Sequence, residues 1–195
     1  MSSKKFEEYA YVLDYLPQGR PFDGRPVHQR KPIALAVGED FFTLLELTPK
    51  EGAVLSPSER VFIGKGFRDK IDHVNRRISY DELTIAAKDE LEKVIEKIVN
   101  ENEKRFVEIF NVAPPLTTRM HSLELIKGIG KRKLWEILEE RRKKPFESFK
   151  DIEERVGLRN VAKAIKERIL EEIKGNERYY LFVRPAPKTT EKLPE

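Results

Sequence analysis

LELIKGIGKRKLW, residues 123–135, is the stretch that decides how the C-terminal part of this chain folds. Leu123 and Ile126 are spaced to lie on one face of a short helix. Gly128 then ends that helix, because glycine adopts the left-handed conformation of a helix terminus without strain. Gly130 follows and begins a second helix. The apolar positions of the second helix are Leu134, Ile137 and Leu138. The stretch therefore predicts two short helices joined by a glycine-rich loop.

The loop between these two predicted helices has the residue types of a phosphate site. Gly130 lets the main chain approach another body, and the first amides of the second helix lack acceptors within that helix. The helix dipole adds partial positive charge there, so a phosphate is a favourable occupant. Ile129 is expected to turn inward and anchor the loop. The surrounding cations are Lys127, Lys131, Arg132 and Lys133.

The pattern of residues 119–142 resembles the helix-hairpin-helix family of nucleic-acid-binding modules. The resemblance covers the apolar positions, both glycines and the basic residues after them, whereas a Gly-apolar-Gly triplet alone is a weak signal. It implies that the loop binds the phosphates of one strand without reading its sequence. The implied phosphate ligands are the amides of Gly128, Ile129 and Gly130 and the side chains of Lys131 and Arg132.

A second, degenerate copy of the pattern follows the first. Its apolar positions are Phe149, Ile152 and Val156. Only one glycine, Gly157, stands at its loop, so we expect this copy to be mainly structural, with Arg159 and Lys163 still able to touch a nucleic-acid backbone. Residues 116–175 are accordingly predicted to form an all-α tandem helix-hairpin-helix unit of four or five short helices, with a linker around residues 139–147.

The N-terminal 80 residues have the composition of short strands separated by turns. The predicted strands are residues 9–16, 33–37, 41–47 and 59–63, with a second short hairpin marked by Lys70-Ile71 and Arg77-Ile78. Such strands indicate a small closed or half-closed β-barrel, OB- or SH3-like, over residues 1–80. A strand-like segment at 178–184 needs a partner and is expected to complete the barrel. Arg20 and Arg25, in the basic loop 18–32, are candidate nucleic-acid contacts.

The middle of the chain, residues 81–115, is predicted to consist of acidic connecting helices. Residues 79–82, Ser-Tyr-Asp-Glu, have the form of a capping box that begins a helix. The helix is expected to run to about Val99, with a continuation left open, and Pro114-Pro115 ends it. The tail at 185–195 is predicted to be disordered. The fold class is therefore α+β.

The net charge of +4 is unevenly distributed along the chain. Residues 81–115 carry 5 basic and 9 acidic side chains, whereas residues 116–175 carry 16 basic and 11 acidic ones. A basic block beside an acidic one favours a local contact with an anionic polymer. A solvated helical surface would have a similar composition, so charge alone does not decide between them.

Several function classes are disfavoured by the composition. The chain has no cysteine and no apolar run long enough to cross a membrane, and its first ten residues lack the apolar core of a secretory signal. We therefore expect a cytoplasmic protein without a membrane partner. His28, His73 and His121 are isolated from any ligand motif, so neither a metal nor a cofactor is expected. His121 is expected to be a surface or packing residue, and Trp135 to pack within the helical unit.

Taken whole, the sequence resembles an archaeal family of uncharacterised proteins, domain of unknown function 655. The resemblance is carried by residues 11–20, which read YVLDYLPQGR, and by the glycine loop at 127–133. It implies a small β-barrel beside a tandem hairpin unit over nearly the full length. It implies no substrate.

These observations predict a non-enzymatic nucleic-acid-binding protein that contacts the phosphate backbone through the glycine loop, with RNA favoured over DNA. One alternative is a protein-interaction module whose partners are ribosomal or transcription proteins. A third is a metal-dependent nuclease, because residues 69–73 cluster Asp69, Asp72 and His73, although neighbours in one loop do not establish carboxylates converging on a metal. The oligomeric state is left open.

Overall fold

The N-terminal part of the protein is a single antiparallel sheet. The structure is a computed structural model that describes residues 6–186. Its strands in that range are β1 (Tyr9–Leu16), β2 (Ile33–Gly38), β3 (Leu44–Pro49), β4 (Arg60–Phe62) and β5 (Ile71–Arg77). They pair in the order β4-β1-β2-β3-β5, so β4 and β5 are the two edges. The strands predicted at 9–16, 33–37 and 59–63 are confirmed to within about a residue at each end.

Two details of the predicted strands are wrong. The strand expected at 41–47 begins only at Leu44, because Phe42 adopts a left-handed φ of 54° and turns the chain before the strand starts. The second short hairpin expected near 70–78 is instead one continuous strand, β5, which pairs with β3 along its length.

The sheet curls because its two faces carry side chains of different size. On one face of β1 and β2 stand Tyr11, Leu13 and Leu35, which pack against the helices. On the other face stand alanines, among them Ala34 and Ala36, which share a second core with larger residues from β3, β4 and β5. Small side chains on the concave face let the sheet bend over its own interior. The result is a half-barrel, as the half-closed alternative predicted.

The predicted closing strand at 178–184 does not form. The segment lies without regular structure, and Leu181, Phe182 and Val183 donate their amides to the carboxylate of Glu172 at 2.7–2.9 Å. Amides bound to a carboxylate are not available to pair with an edge strand. The segment still reaches the sheet region, where the Arg184 amide donates to the Phe41 carbonyl. Of the tail predicted at 185–195, residues 187–195 lie outside the described range.

Two helices follow the sheet, and the first begins later than predicted. The capping box at Ser79 is present, but it caps a 3-10 turn at Tyr80–Glu82. The helix α1 (Ile85–Glu101) starts after Thr84, whose side chain accepts the amide of Ala87. A second helix, α2 (Glu103–Val112), continues after Asn102 and ends just before the two prolines.

The C-terminal part contains a 3-10 turn at Ser122–Leu125 and three helices, α3 (Lys131–Lys143), α4 (Phe149–Val156) and α5 (Val161–Lys174). The linker expected around 139–147 is shorter, since α3 runs to Lys143. Buried residues of the sheet's helix-facing side, of α1 and of α3 to α5 belong to one continuous hydrophobic cluster, so the sheet and the helices share a core. Within residues 6–186, no helix is both long enough and apolar enough to cross a membrane.

Candidate nucleic-acid interface

The first loop, residues 127–130, joins the 3-10 turn to α3. The turn closes through the Ile126 amide, which donates to the Leu123 carbonyl, and the Ile129 amide then donates to the Ile126 carbonyl at 3.1 Å. Ile129 is 4% exposed, so it anchors the loop as predicted. The expected first helix is thus only one 3-10 turn long, and the main chain passes directly from it into the loop.

The two glycines of the first loop differ in their main-chain conformation. Gly128 has a φ of 90°, a conformation that side chains with a Cβ rarely adopt. Gly130 has an ordinary extended conformation, with φ −89° and ψ −173°. A Cβ placed on either residue would meet no atom within 4 Å. Gly128 is therefore required by the turn, whereas Gly130 leaves open space in front of the main chain.

The N-terminus of α3 offers main-chain donors without internal acceptors. Gly130 is its N-cap and provides no side-chain hydrogen bond. Within residues 6–186 the amides of Lys131, Arg132 and Lys133 have no acceptor, and the first bonded amide is that of Leu134, which donates to the Gly130 carbonyl at 2.9 Å. These donors lie at the positive end of the helix dipole, beside the open space in front of Gly130.

At the second loop, residues 157–160, side chains of the protein already accept amides at the start of α5. Gly157 ends α4 with a φ of 64°, and Asn160 caps α5 by accepting the Lys163 amide at 3.1 Å. The carboxylate of Glu153 accepts the Val161 amide at 2.9 Å. A side-chain carboxylate thus lies at the N-terminus of α5, which supports the interpretation of the second loop as mainly structural. The sequence did not reveal Glu153, because its spacing of eight residues from Val161 matches no capping pattern.

The cations of the first loop fall into two groups. Lys127 and Arg132 have side chains 82% and 87% exposed and pair loosely with Glu167 at 3.8 Å and Glu136 at 3.4 Å. Such exposed pairs are worth at most about 1 kcal/mol, so both cations can turn to another anion.

Lys131 and Lys133 instead hold the framework together. Lys131 Nζ donates to the Arg119 carbonyl at 2.6 Å and pairs with Glu124 at 2.9 Å. This pairing, together with the His121 amide, lowers the pKa of the Glu124 carboxyl. Lys133 bonds the Val156 carbonyl at the end of α4. The expected mobile positive charge is therefore reduced at these two positions.

Both loops line one shallow cavity of about 260 Å³. Arg159 lines it beside Gly128 and Gly157. Arg159 and Lys163 are both exposed, and neither has an acidic partner among the described residues. The structure thus brings Arg159 next to the first loop, although the two are about thirty positions apart in the sequence.

The two candidate arginines of the N-terminal loop are already held by acids. Arg20 donates to the Glu46 carboxylate at 2.9 Å and to the Glu82 carbonyl at 3.0 Å. Arg25 pairs with Asp23 at 2.6 Å, and this pairing lowers the pKa of the Asp23 carboxyl to about 2. Arg20 fixes the N-terminal loop to its surroundings and Arg25 is paired within that loop, so neither extends the surface around the first loop.

Two side chains near the first loop have surroundings that the sequence did not indicate. Trp135 is 63% exposed, so the expectation that it packs within the helical unit is wrong. His121 is 6% exposed and caps the 3-10 turn, its Nδ1 accepting the Leu123 amide at 3.1 Å. Burial lowers the pKa of His121, and the charge of Arg141 adds to that effect. In the described range, no three acidic or histidine side chains are placed to hold a metal ion.

The sequence and the fold match those of a known family. Residues 6–184 match the family model described as a protein of unknown function (DUF655), and the chain belongs to that family. The uncharacterised protein MJ0038 of Methanocaldococcus jannaschii is 50% identical over 183 residues, which are 93% of this chain and 82% of that protein. The crystal structure of Af1531 from Archaeoglobus fulgidus, of the same family, has a TM-score of 0.82 and 50% identity, covering 91% of this chain and 100% of that chain. The resemblance to an archaeal family of uncharacterised proteins is confirmed.

Proposed function

We propose that the protein is a non-enzymatic, cytoplasmic nucleic-acid-binding protein whose first loop acts as a helix-hairpin-helix contact to the phosphate backbone. The observation that carries the proposal is the contrast between two similar helix starts. A carboxylate and an asparagine accept two amides at the start of α5, whereas the three amides at the start of α3 have no acceptor among the described residues and follow a glycine with open space in front of it. A phosphate oxygen at α3 would take the position that Glu153 has at α5.

The charge around this position supports a strand rather than a single anion. The exposed cations nearest to the two loops are Lys127, Arg132, Arg159 and Lys163. Lys127 and Arg159 line the shared cavity from the two loops, and Arg132 and Lys163 lie in the first turns of the helices that follow, so a polyanion that crosses the cavity can contact both sides. Main-chain and cationic contacts to phosphates position a nucleic acid without reading its sequence.

RNA and DNA share the phosphates that this surface would bind. The expected preference for RNA depended partly on the basic N-terminal loop, whose Arg20 and Arg25 are paired with Glu46 and Asp23. We therefore propose binding to the backbone of either nucleic acid and leave the preference to the titration described next.

The test is a fluorescence-anisotropy titration in which the protein is added to labelled 20-nucleotide RNA and DNA probes, single- and double-stranded, at about 50 and 200 mM salt. Neutralising four phosphates predicts a slope of log K against log salt of about −3 to −4, which is up to roughly a hundredfold loss of affinity between these two concentrations. No binding to any of the four probes at the lower salt concentration would refute the proposal.

The matched variants are Gly130→Ala and Gly24→Ala. Both glycines have ordinary φ values and no atom within 4 Å of an added Cβ, so both variants should fold with little change in stability, within about 1 kcal/mol. A methyl group at Gly130 would occupy the open space in front of the main chain, where we propose that the phosphate binds, and one lost hydrogen bond corresponds to about tenfold in affinity. We expect Gly130→Ala to weaken binding at least tenfold and Gly24→Ala to leave it unchanged. Gly128→Ala is unsuitable as a test, because its φ of 90° strains any alanine.

A further inference from the structure

The mouth of the half-barrel is a second groove, separate from the hairpin loops. It has a volume of about 570 Å³ and is lined on one side by Ile63 and Gly64, which follow β4, and on the other by Val74 of β5. Leu45 of β3 also lines it. Ile63 and Leu45 belong to the core of the concave face, and Val74 packs against that core. The groove thus opens between the two edge strands onto an aliphatic floor.

The edge strands leave main-chain groups without strand partners beside this groove. Within residues 6–186, β4 pairs with β1 alone and β5 pairs with β3 alone. In the segment at 178–184, which the sequence predicted to fill this gap, Leu181 and Phe182 bind Glu172, and Arg184 and Pro185 after them line the groove. An unprotected edge is a template for an added strand.

The rim of the groove is cationic. Lys65 is exposed and has no acidic partner among the described residues. Arg68 donates to the Gly64 carbonyl at 2.9 Å, and Arg77 donates to the carbonyls of Arg184 and Pro185. Carbonyl acceptors orient a guanidinium but do not cancel its charge.

Among the described residues that line the groove, Glu7 is the acidic one, and it offsets only part of the charge of this rim. Glu7 is 8% exposed, and its carboxylate accepts the amides of Asp40, Phe41 and Thr43 at 2.9–3.2 Å. Burial raises the pKa of Glu7 despite these three bonds. The groove therefore presents an excess of positive charge around an apolar floor.

We propose that this groove binds an extended segment of a partner protein that alternates acidic and aliphatic side chains and pairs with an edge of the half-barrel. Aliphatic side chains at every second position fill the floor, because side chains alternate between the two faces of a strand. Carboxylates at the intervening and flanking positions reach Lys65, Arg68 and Arg77. A nucleic acid matches the charge but lacks the regularly spaced main-chain donors and acceptors that pair along a strand edge and the aliphatic side chains that fit the floor. This proposal does not depend on the first loop.

The probe is a synthetic, end-blocked heptapeptide that alternates glutamate with valine, titrated into the full ¹⁵N-labelled chain. We expect the amides of Ile63 and Val74 to shift, while those of the first loop do not. Two control peptides separate the contributions: one has lysine for glutamate, and the other has serine for valine. Both should bind at least about tenfold more weakly, because one is repelled by the rim and the other leaves the floor empty.

The matched variants are Lys65→Glu and Lys93→Glu. Both side chains are exposed, and Lys93 lies on α1, which packs on the opposite face of the sheet. We expect Lys65→Glu to weaken the heptapeptide about tenfold and Lys93→Glu to have little effect. No shift at Ile63 and Val74, equal binding of the lysine peptide, or equal effects of the two variants would overturn the proposal.

The same titration would detect two other possible occupants of the groove. A uridine-rich RNA that shifts the same amides more strongly than the peptide would assign the groove to nucleic acid instead. Shifts at these amides on raising the protein concentration, with a doubled mass in sedimentation, would assign it to a second copy of the chain. Either result would contradict the peptide proposal, and neither would affect the Gly130 test.

Discussion

The carboxylate of Glu172 fixes the C-terminal segment, and its replacement by glutamine gives a sharp test of the fold. The side chain is fully buried and binds the amides of Leu181, Phe182 and Val183 as well as the guanidinium of Arg168. The amide of glutamine has one acceptor oxygen in place of two, so at least one donor loses its partner. It also leaves the Arg168 guanidinium, 7% exposed, with only the more distant carboxylates of Glu177 at 3.5 Å and Glu171 at 3.8 Å.

The size of the effect follows from these contacts. Breaking a buried ion pair by removing one charge costs about 3–5 kcal/mol, and this range includes the lost charged hydrogen bonds. For a chain of this length, each kcal/mol lowers the melting temperature by about 2–4 °C, so Glu172→Gln should lower it by roughly 10 °C. Calorimetry measures the melting temperature, and hydrogen exchange should show faster exchange at the amides of Leu181 and Val183.

Glu171→Gln is the matched control for this prediction. Glu171 neighbours Glu172 on α5, but its side chain is 57% exposed and touches Arg168 only at 3.8 Å. Exposed pairs contribute between about 0 and 1 kcal/mol, so this variant should melt within a few degrees of the parent. Equal melting temperatures for the two glutamine variants would refute the role assigned to Glu172.

Three further predictions concern the surroundings of the first loop. Burial lowers the pKa of His121, so the folded state favours neutral histidine and the free energy of unfolding should fall as the pH drops below about 6.5. The variant His121→Asn can still accept the Leu123 amide but has no group that titrates. It should lose this pH dependence in urea titrations between pH 7 and 5. Lys133→Met should cost about 1–2 kcal/mol of stability because the bond to α4 is lost. Arg132→Met should leave stability unchanged and weaken nucleic-acid binding. The reverse pattern would contradict the division of these cations into framework and exposed residues. Trp135 is the one tryptophan of the chain and lies just past Gly130, so its fluorescence should change when an oligonucleotide binds, and an unchanged signal at saturation would place the contact elsewhere.

Much of the fold could be predicted from local patterns. β1 follows from its aromatic and branched residues and ends before Pro17, and α2 ends before Pro114 because proline cannot continue a helix. Gly128 and Gly157 were correctly placed at turns, since both have positive φ. These features depend on a few neighbouring residues, which is why the sequence sufficed.

Several errors arise from side-chain contacts that local composition does not show. The segment at 178–184 has strand-like composition, but Glu172 binds its amides. Arg20 looked available in a basic loop, but Glu46, 26 positions away, binds it. Lys133 looked mobile, but it reaches the end of α4. Local composition gives no indication of such partners, so the structure was needed to show which donors and cations are available to bind another molecule.

The proposed binding of a phosphate by the amides at the start of α3 can be tested by a ¹⁵N–¹H titration of the full chain with a single-stranded oligonucleotide. We expect the amides of residues 130–133 to shift first and furthest at low salt, while those of Val161 and Lys163, already bound by Glu153 and Asn160, move little. Shifts of equal size at both helix starts, or shifts confined to other surfaces, would contradict it.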